Sequence, residues 1–181
     1  MTLTRINNQA LTGITSAGLP TGSVLQVVQG TLGSTVTKTP ADSLSEDTGL
    51  SATITPSSTS SKILVQYSIF LGQEASYNAF TRILRGSTEI GNGTSEAGRP
   101  VGNSMVTGYT QSGFDIYWVG CASNSFLDSP ATTSATTYKI QIGSYDGDNV
   151  YVNRSHQFQD DTDGGYDTIP LSTITLTEIA G

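Results

Sequence analysis

From residue 23 onward, apolar residues recur at every second position or in short runs bounded by Gly, Pro, Ser and Asn, which is the period of a pleated strand rather than of a helix. The clearest alternation sets Tyr138, Ile140 and Ile142 against Thr137, Lys139 and Gln141. Nine strands are predicted, at Ser23 to Thr31, Gly49 to Thr55, Lys62 to Leu71, Phe80 to Gly86, Ser87 to Gly91, Phe114 to Ser125, Thr136 to Ser144, Val150 to Asn153 and Leu171 to Ile179. In the last of these, Leu171, Ile174, Leu176 and Ile179 include a change of phase, which places a bulge near Ser172 and Thr173. Several short strands separated by turn signals, with no convincing helix, predict an all-β fold: a jelly-roll-like antiparallel β-sandwich knob.

Ahead of the knob, Met1 to Gly22 carries isolated apolar points (Leu3, Ile6, Leu11, Ile14, Leu19) among Asn, Gln, Thr and Gly, and closes on the turn Pro20, Thr21, Gly22. So sparse a pattern supports no core of its own, and an extended N-terminal arm that gains order on a partner is expected. The division is therefore an arm over 1–22 and a single knob over 23–181, in keeping with a chain of 181 residues. Two polar connections, 91–113 and 145–170, exceed the usual loop length and are the expected variable surface.

Composition sharpens this picture. Ser and Thr make up 50 of the residues, and only 13% are charged. The abundant Thr, Val, Ile and Tyr suit strands, and the helix formers Lys and Glu are scarce. A net charge of -7 disfavours binding to a phosphate backbone, so no nucleic-acid partner is expected. No apolar run is long enough for a membrane-spanning helix, so no membrane insertion is expected, and no secretory signal is visible. The lone Cys121 excludes an internal disulfide, and no cofactor-binding motif is present, so no cofactor is expected.

Catalytic chemistry finds little support. His156 is the only imidazole available to activate a nucleophile, and it lies in the polar stretch Arg154, Ser155, His156, Gln157. Cys121 follows the strand-like Tyr117 to Gly120 and reads as a small buried thiol. Asp47, Thr48, Gly49 spells the tripeptide of aspartic proteases without the flanking apolar residues that chemistry requires, so it reads as a turn into a strand. Asp160, Asp161 and Asp163 offer the oxygens of a calcium site, but Ser172 stands where an EF-hand loop would need Glu, and a solvated acidic loop is the simpler reading. The sequons at Asn92 and Asn153 are read as chance. Carbohydrate-binding surfaces place aromatic rings against sugar faces with carboxylates nearby, and Tyr109, Tyr145, Tyr151 and Tyr166, with Asp146 and Asp148, form such a mixture in or beside the two long connections. Tyr67, Tyr117, Trp118 and Tyr138 are expected in strands, as core or subunit-interface residues.

The segment from Thr48 to Val65, TGLSATITPSSTSSKILV, resembles a phrase that recurs in fibre and tail-associated proteins of tailed bacteriophages, especially marine and cyanobacterial ones. Leu127 to Lys139 and Ser172 to Ile179 resemble two further pieces of it, and Ile6 to Thr12 and Gly22 to Val28 match in style. The resemblance implies a non-enzymatic virion protein, a jelly-roll homotrimer whose N-terminal part fastens to capsid or tail proteins, with a host-surface glycan as candidate ligand. It carries no catalytic residues. With no heptad shaft and no Gly or β-helical repeat, the chain departs from a long tail fibre and points to a short head fibre, a capsid decoration protein or a compact tail component. The rival reading is a free-standing carbohydrate-binding module.

Overall fold

In the computed structural model, which describes residues 19–40, 45–73, 78–107, 117–144, 147–157 and 168–181, apolar alternation becomes eleven strands. They are β1 (Val24–Leu32), β2 (Val36–Lys38), β3 (Ser45–Ile54), β4 (Lys62–Gln73), β5 (Asn78–Arg85), β6 (Thr88–Ile90), β7 (Ser104–Thr107), β8 (Gly120–Asp128), β9 (Thr136–Ser144), β10 (Val150–Val152) and β11 (Ser172–Ile179). Every pairing among the described residues is antiparallel.

The first sheet runs β1-β11-β4, with β8 along the other edge of β4. Past the end of β11, β10 takes its place beside Leu71, Gly72 and Gln73 of β4, and β2 pairs with β10. The second sheet runs β3-β9-β5, and β6 and β7 share the remaining edge of β5. The partners are nested: β1 with β11, β3 with β9, β4 with β8, β5 with β6 and β7. A long hairpin wrapped over itself gives this nesting, and with two packed antiparallel sheets it makes the sandwich jelly-roll-like.

Alternate residues of both sheets fill the space between them. Leu50, Ile54, Ile63, Val65, Ile69, Leu71, Ile83, Tyr138, Ile140, Ile142, Ile174 and Leu176 are all buried there, each aliphatic one contributing about 1.5–3 kcal/mol relative to an exposed position. Three polar links join the layers or their ends. Tyr67 of β4 meets Thr81 of β5 hydroxyl to hydroxyl at 2.6 Å. Asp128 of β8 accepts from the Tyr138 hydroxyl of β9 at 2.7 Å and from the Arg85 guanidinium of β5 at 3.0 Å. Glu178 of β11 is buried with its carboxylate held by Gln26, Ser57 and Ser61.

The prediction for Thr136 to Ser144 matches β9 residue for residue, and most other strands agree within a few residues. Two are additional: β2, and β7 inside the connection expected at 91–113, both too short to announce a period. The strand expected from Phe114 begins at Gly120, with Tyr117 and Trp118 before it and partly exposed. The expected bulge in the last strand is a correction: β11 alternates without interruption from Ser172 to Ile179, and the irregularity lies opposite, in β1 between Val24 and Gln26. The apparent change of phase came from Leu171, which lies ahead of β11 and is 55% exposed, whereas Ile174 and Leu176 point inward.

The sandwich has two distinct ends. Leu19 to Ser23 lies beside Ala180, with Gly22 and Ser23 hydrogen-bonded to it at 2.8 and 2.9 Å. The β3–β4 turn, the β5–β6 turn at Gly86 and the residues after Asp128 share this end, here called the base. At the opposite end, the apex, lie Gln73 paired with Val150, and Asn78 paired with Thr107.

Candidate functional site

The candidate ligand residues Tyr109, Tyr145, Tyr166 and Asp146, and the candidate calcium ligands Asp160, Asp161 and Asp163, lie outside the described residues. The described residues that flank them, Thr107, Ser144 and Gly147, all stand at the apex, the first two paired with Asn78 and Ala79 at the start of β5. Of the remaining candidates, Asp148 is half-buried at the apex, where its Oδ2 meets no hydrogen-bond donor among the described residues.

Tyr151 belongs to β10, inside the strand expected at Val150 to Asn153, and only 6% of it is exposed. The Arg154 guanidinium lies 4.1 Å from its ring centroid, and the His156 ring stacks nearly parallel at 5.5 Å. Arg154 also donates to Thr37 Oγ1 of β2 at 2.9 Å. Tyr151 therefore packs the apex in this structure rather than offering an open face. His156, the one imidazole, is committed to that stack.

Cys121 corrects the reading of a buried thiol: it is exposed, on the outward side of β8. β4 stands between it and β10, since Phe70 faces Cys121 on one edge while Leu71 faces Val152 on the other. The tripeptide at Asp47 belongs to β3. Burial acts to raise the Asp47 carboxyl, but hydrogen bonds from Lys139 at 2.7 Å and Gln141 at 2.6 Å outweigh it and hold the group below the usual carboxylate range. Thr48 turns inward and donates to the Ile140 carbonyl at 2.7 Å, and Gly49 takes a left-handed φ of 90° that disfavours a side chain. The tripeptide serves the strand. Among the described residues no three His, Cys, Asp or Glu side chains gather as a metal site.

What the sequence reading missed is a difference between the outer faces of the two sheets. On the second sheet, Lys139 pairs with Asp47 and Arg82 with Glu89 at 3.0 Å. On the first, the outward positions fall in cross-strand rows: Val27, Thr177, Leu64 and Leu127; Gln29, Thr175, Gln66 and Ser125; Thr31, Thr173, Ser68 and Ser123; then Phe70 and Cys121. Between Lys62 at the base and Arg154 at the apex, these rows contain no charged side chain. A shallow groove of about 500 Å³ crosses the middle two, lined by Gln66, Ser68, Ser123, Ser125, Thr173 and Thr175. Period-two alternation in four separate strands already carried this signal, but only the pairing shows that the uncharged positions share one surface.

Compared with known proteins, the chain matches no family model and no curated protein.

Proposed function

We propose that the chain is a non-enzymatic structural protein of a tailed-phage virion, a short trimeric surface fibre or decoration knob. One observation carries the reading: residues 19–22, the described end of an arm whose first eighteen residues lie outside the described residues, join the sandwich at the base, beside the C-terminal residues, while residues that flank the long tyrosine- and acid-bearing connections stand at the apex. A particle-bound knob needs this polarity, with attachment at one end and contact with the outside at the other. The phrases that resemble phage fibre proteins also coincide with the frame of the knob. Thr48 to Val65 forms β3, the base turn and the start of β4, and Leu127 to Lys139 contains Asp128 and Tyr138. The buried polar groups described above spend their hydrogen bonds on joining strands, which is structural rather than catalytic chemistry.

The apex is the host-facing surface, with a surface glycan as ligand, and the base binds capsid or tail proteins through residues 1–22. The test removes residues 1–22 and follows both folding and incorporation into particles. The truncated chain should keep its β-type circular dichroism and be lost from purified particles. Normal incorporation overturns the attachment role of the arm, and absence of the full-length chain from particles overturns the virion reading. Soluble, particle-free chain that binds glycan would favour the carbohydrate-binding module.

A further inference from the structure

We infer that the uncharged outer face of the β1-β11-β4-β8 sheet is a self-association surface, occupied by a second copy of this chain. The inference rests on the oligomeric reading above and assigns the face through which copies meet.

Charge decides the occupant. A chain with a net charge of -7 repels its copies, and least so where both present neutral surface. The second sheet's outer face carries Asp47, Lys139, Arg82 and Glu89, already paired within the chain. Only the first sheet offers four strands of neutral side chains, from Val27 across to Leu127 and from Leu64 up to Phe70. Cores of protein interfaces are depleted in charge in this way. In the row nearest the base, three of the four side chains are apolar, and Val27 and Leu127 are open to solvent, 58% and 52% exposed.

The edge of the sheet adds an independent reason. Among the described residues β8 forms a strand ladder only with β4, so the other side of this nine-residue strand carries no ladder, although the Asn124 side chain donates to the Asn103 carbonyl. Its outward residues, Cys121, Ser123, Ser125 and Leu127, include none of the Lys or Pro devices that keep free edges from pairing. A packed copy protects it. Four strands by four rows span roughly 500 Å², over half of the about 800 Å² that one partner gives to a standard interface. Because the face runs parallel to the base-to-apex axis, copies arranged about that axis present every arm at the same end.

The test uses the full-length chain. Light scattering should give a multiple of 18.9 kDa. Ser125→Asp, in the middle of the face, should shift that mass to monomer at the same concentration, whereas Ser51→Asp, outward on the second sheet, should not. Circular dichroism and a thermal melt confirm that both variants fold. Without any mutation, maleimide labelling of Cys121 should slow by about tenfold or more as concentration drives assembly. An oligomer that survives Ser125→Asp with Cys121 reacting at an unchanged rate overturns the face while leaving the oligomeric reading intact. A wild-type monomer at all concentrations overturns the inference, and particle copurification then judges the virion reading separately.

Discussion

The side-chain amide of Gln26 donates to the carboxylate of Glu178 at 2.5 Å, joining the first strand to the last across 152 positions of sequence. Glu178 is fully buried, and its other oxygen accepts from the Ser57 backbone N–H, the Ser57 hydroxyl and the Ser61 hydroxyl, each at 2.7 Å. No cation takes part in these contacts: four neutral donors hold one charge, and so tie β1, β11 and the β3–β4 turn together at the base.

Acid should weaken this knot. Burial pushes the Glu178 carboxyl up, but the bonds from Gln26, Ser57 and Ser61 prevail and hold it below its ordinary value of 4.5. A carboxyl lowered in the folded state contributes stability that is complete above its unfolded value and is lost as pH falls through the folded one. The melting temperature should therefore fall as pH drops below about 4.5, and Glu178→Gln should reduce that dependence. Glu178→Ala strands several buried donors and should cost about 3 kcal/mol at neutral pH, measured by urea unfolding. A Glu178→Gln profile that parallels wild type through this range would assign acid sensitivity to other carboxylates.

The opposite pH limit involves two tyrosines. Burial pushes Tyr67 up to about 12, partly offset by its bond to Thr81. Burial also raises Tyr138, and donation to Asp128 raises it further. A group raised in the folded state stabilises below its unfolded value, here about 10, and that stability is lost as pH climbs through the folded value. Ultraviolet difference spectra should show both phenols remaining neutral at pH 11 until the chain unfolds. Tyr138→Phe leaves the buried Asp128 short of a donor and should cost about 2 kcal/mol; a loss below 0.5, roughly the scale of a surface change, would show that Arg85 alone suffices for Asp128.

At Gly30 the constraint is space. A Cβ added to this β1 residue would run into the Ser51 carbonyl oxygen of β3, where the two sheets come together at one side of the sandwich. Gly30→Ala forces the backbones apart and should cost about 3 kcal/mol. Gly86→Ala is the comparison: nothing lies near its Cβ, and only its φ of 61° opposes the change, at about 1 kcal/mol. Equal melting temperatures for the two variants would contradict the close approach.

Asn153 is the apex counterpart of Glu178. With a φ of 59° it donates through Nδ2 to the carbonyls of Leu32 and Ser34, accepts from Ser172 Oγ and donates its backbone N–H to Phe70. Asn153→Gly keeps the left-handed backbone and loses the side-chain bonds, whereas Asn153→Ala loses both. Ala should be the more destabilising of the two by about 1 kcal/mol, with both well below wild type in chemical denaturation. The reverse order would mean that backbone conformation is not what selects Asn here.

The sequence by itself determined the local layer of this protein. Period-two alternation is a property of neighbouring residues, so β9 was legible to the residue and the sandwich class followed from many such segments with few helix formers. It equally placed Tyr67 and Tyr138 in strands, as core or subunit-interface residues, and both are in the core. Tertiary structure decided the rest. β1 pairs with β11 across some 150 residues, and strands rich in Val, Ile and Thr do not announce their partners locally, because register and pairing are settled by side chains that meet only when the chain has wrapped. For the same reason nothing local marked Glu178 as the acid that the base turn closes over, Cys121 read as buried although it falls on the outward side of β8, and Tyr151 read as a candidate ligand residue until β2 and Arg154 covered it. The neutral face is the plainest case: each of its four strands shows unremarkable alternation, and only antiparallel pairing lines their uncharged positions into one surface.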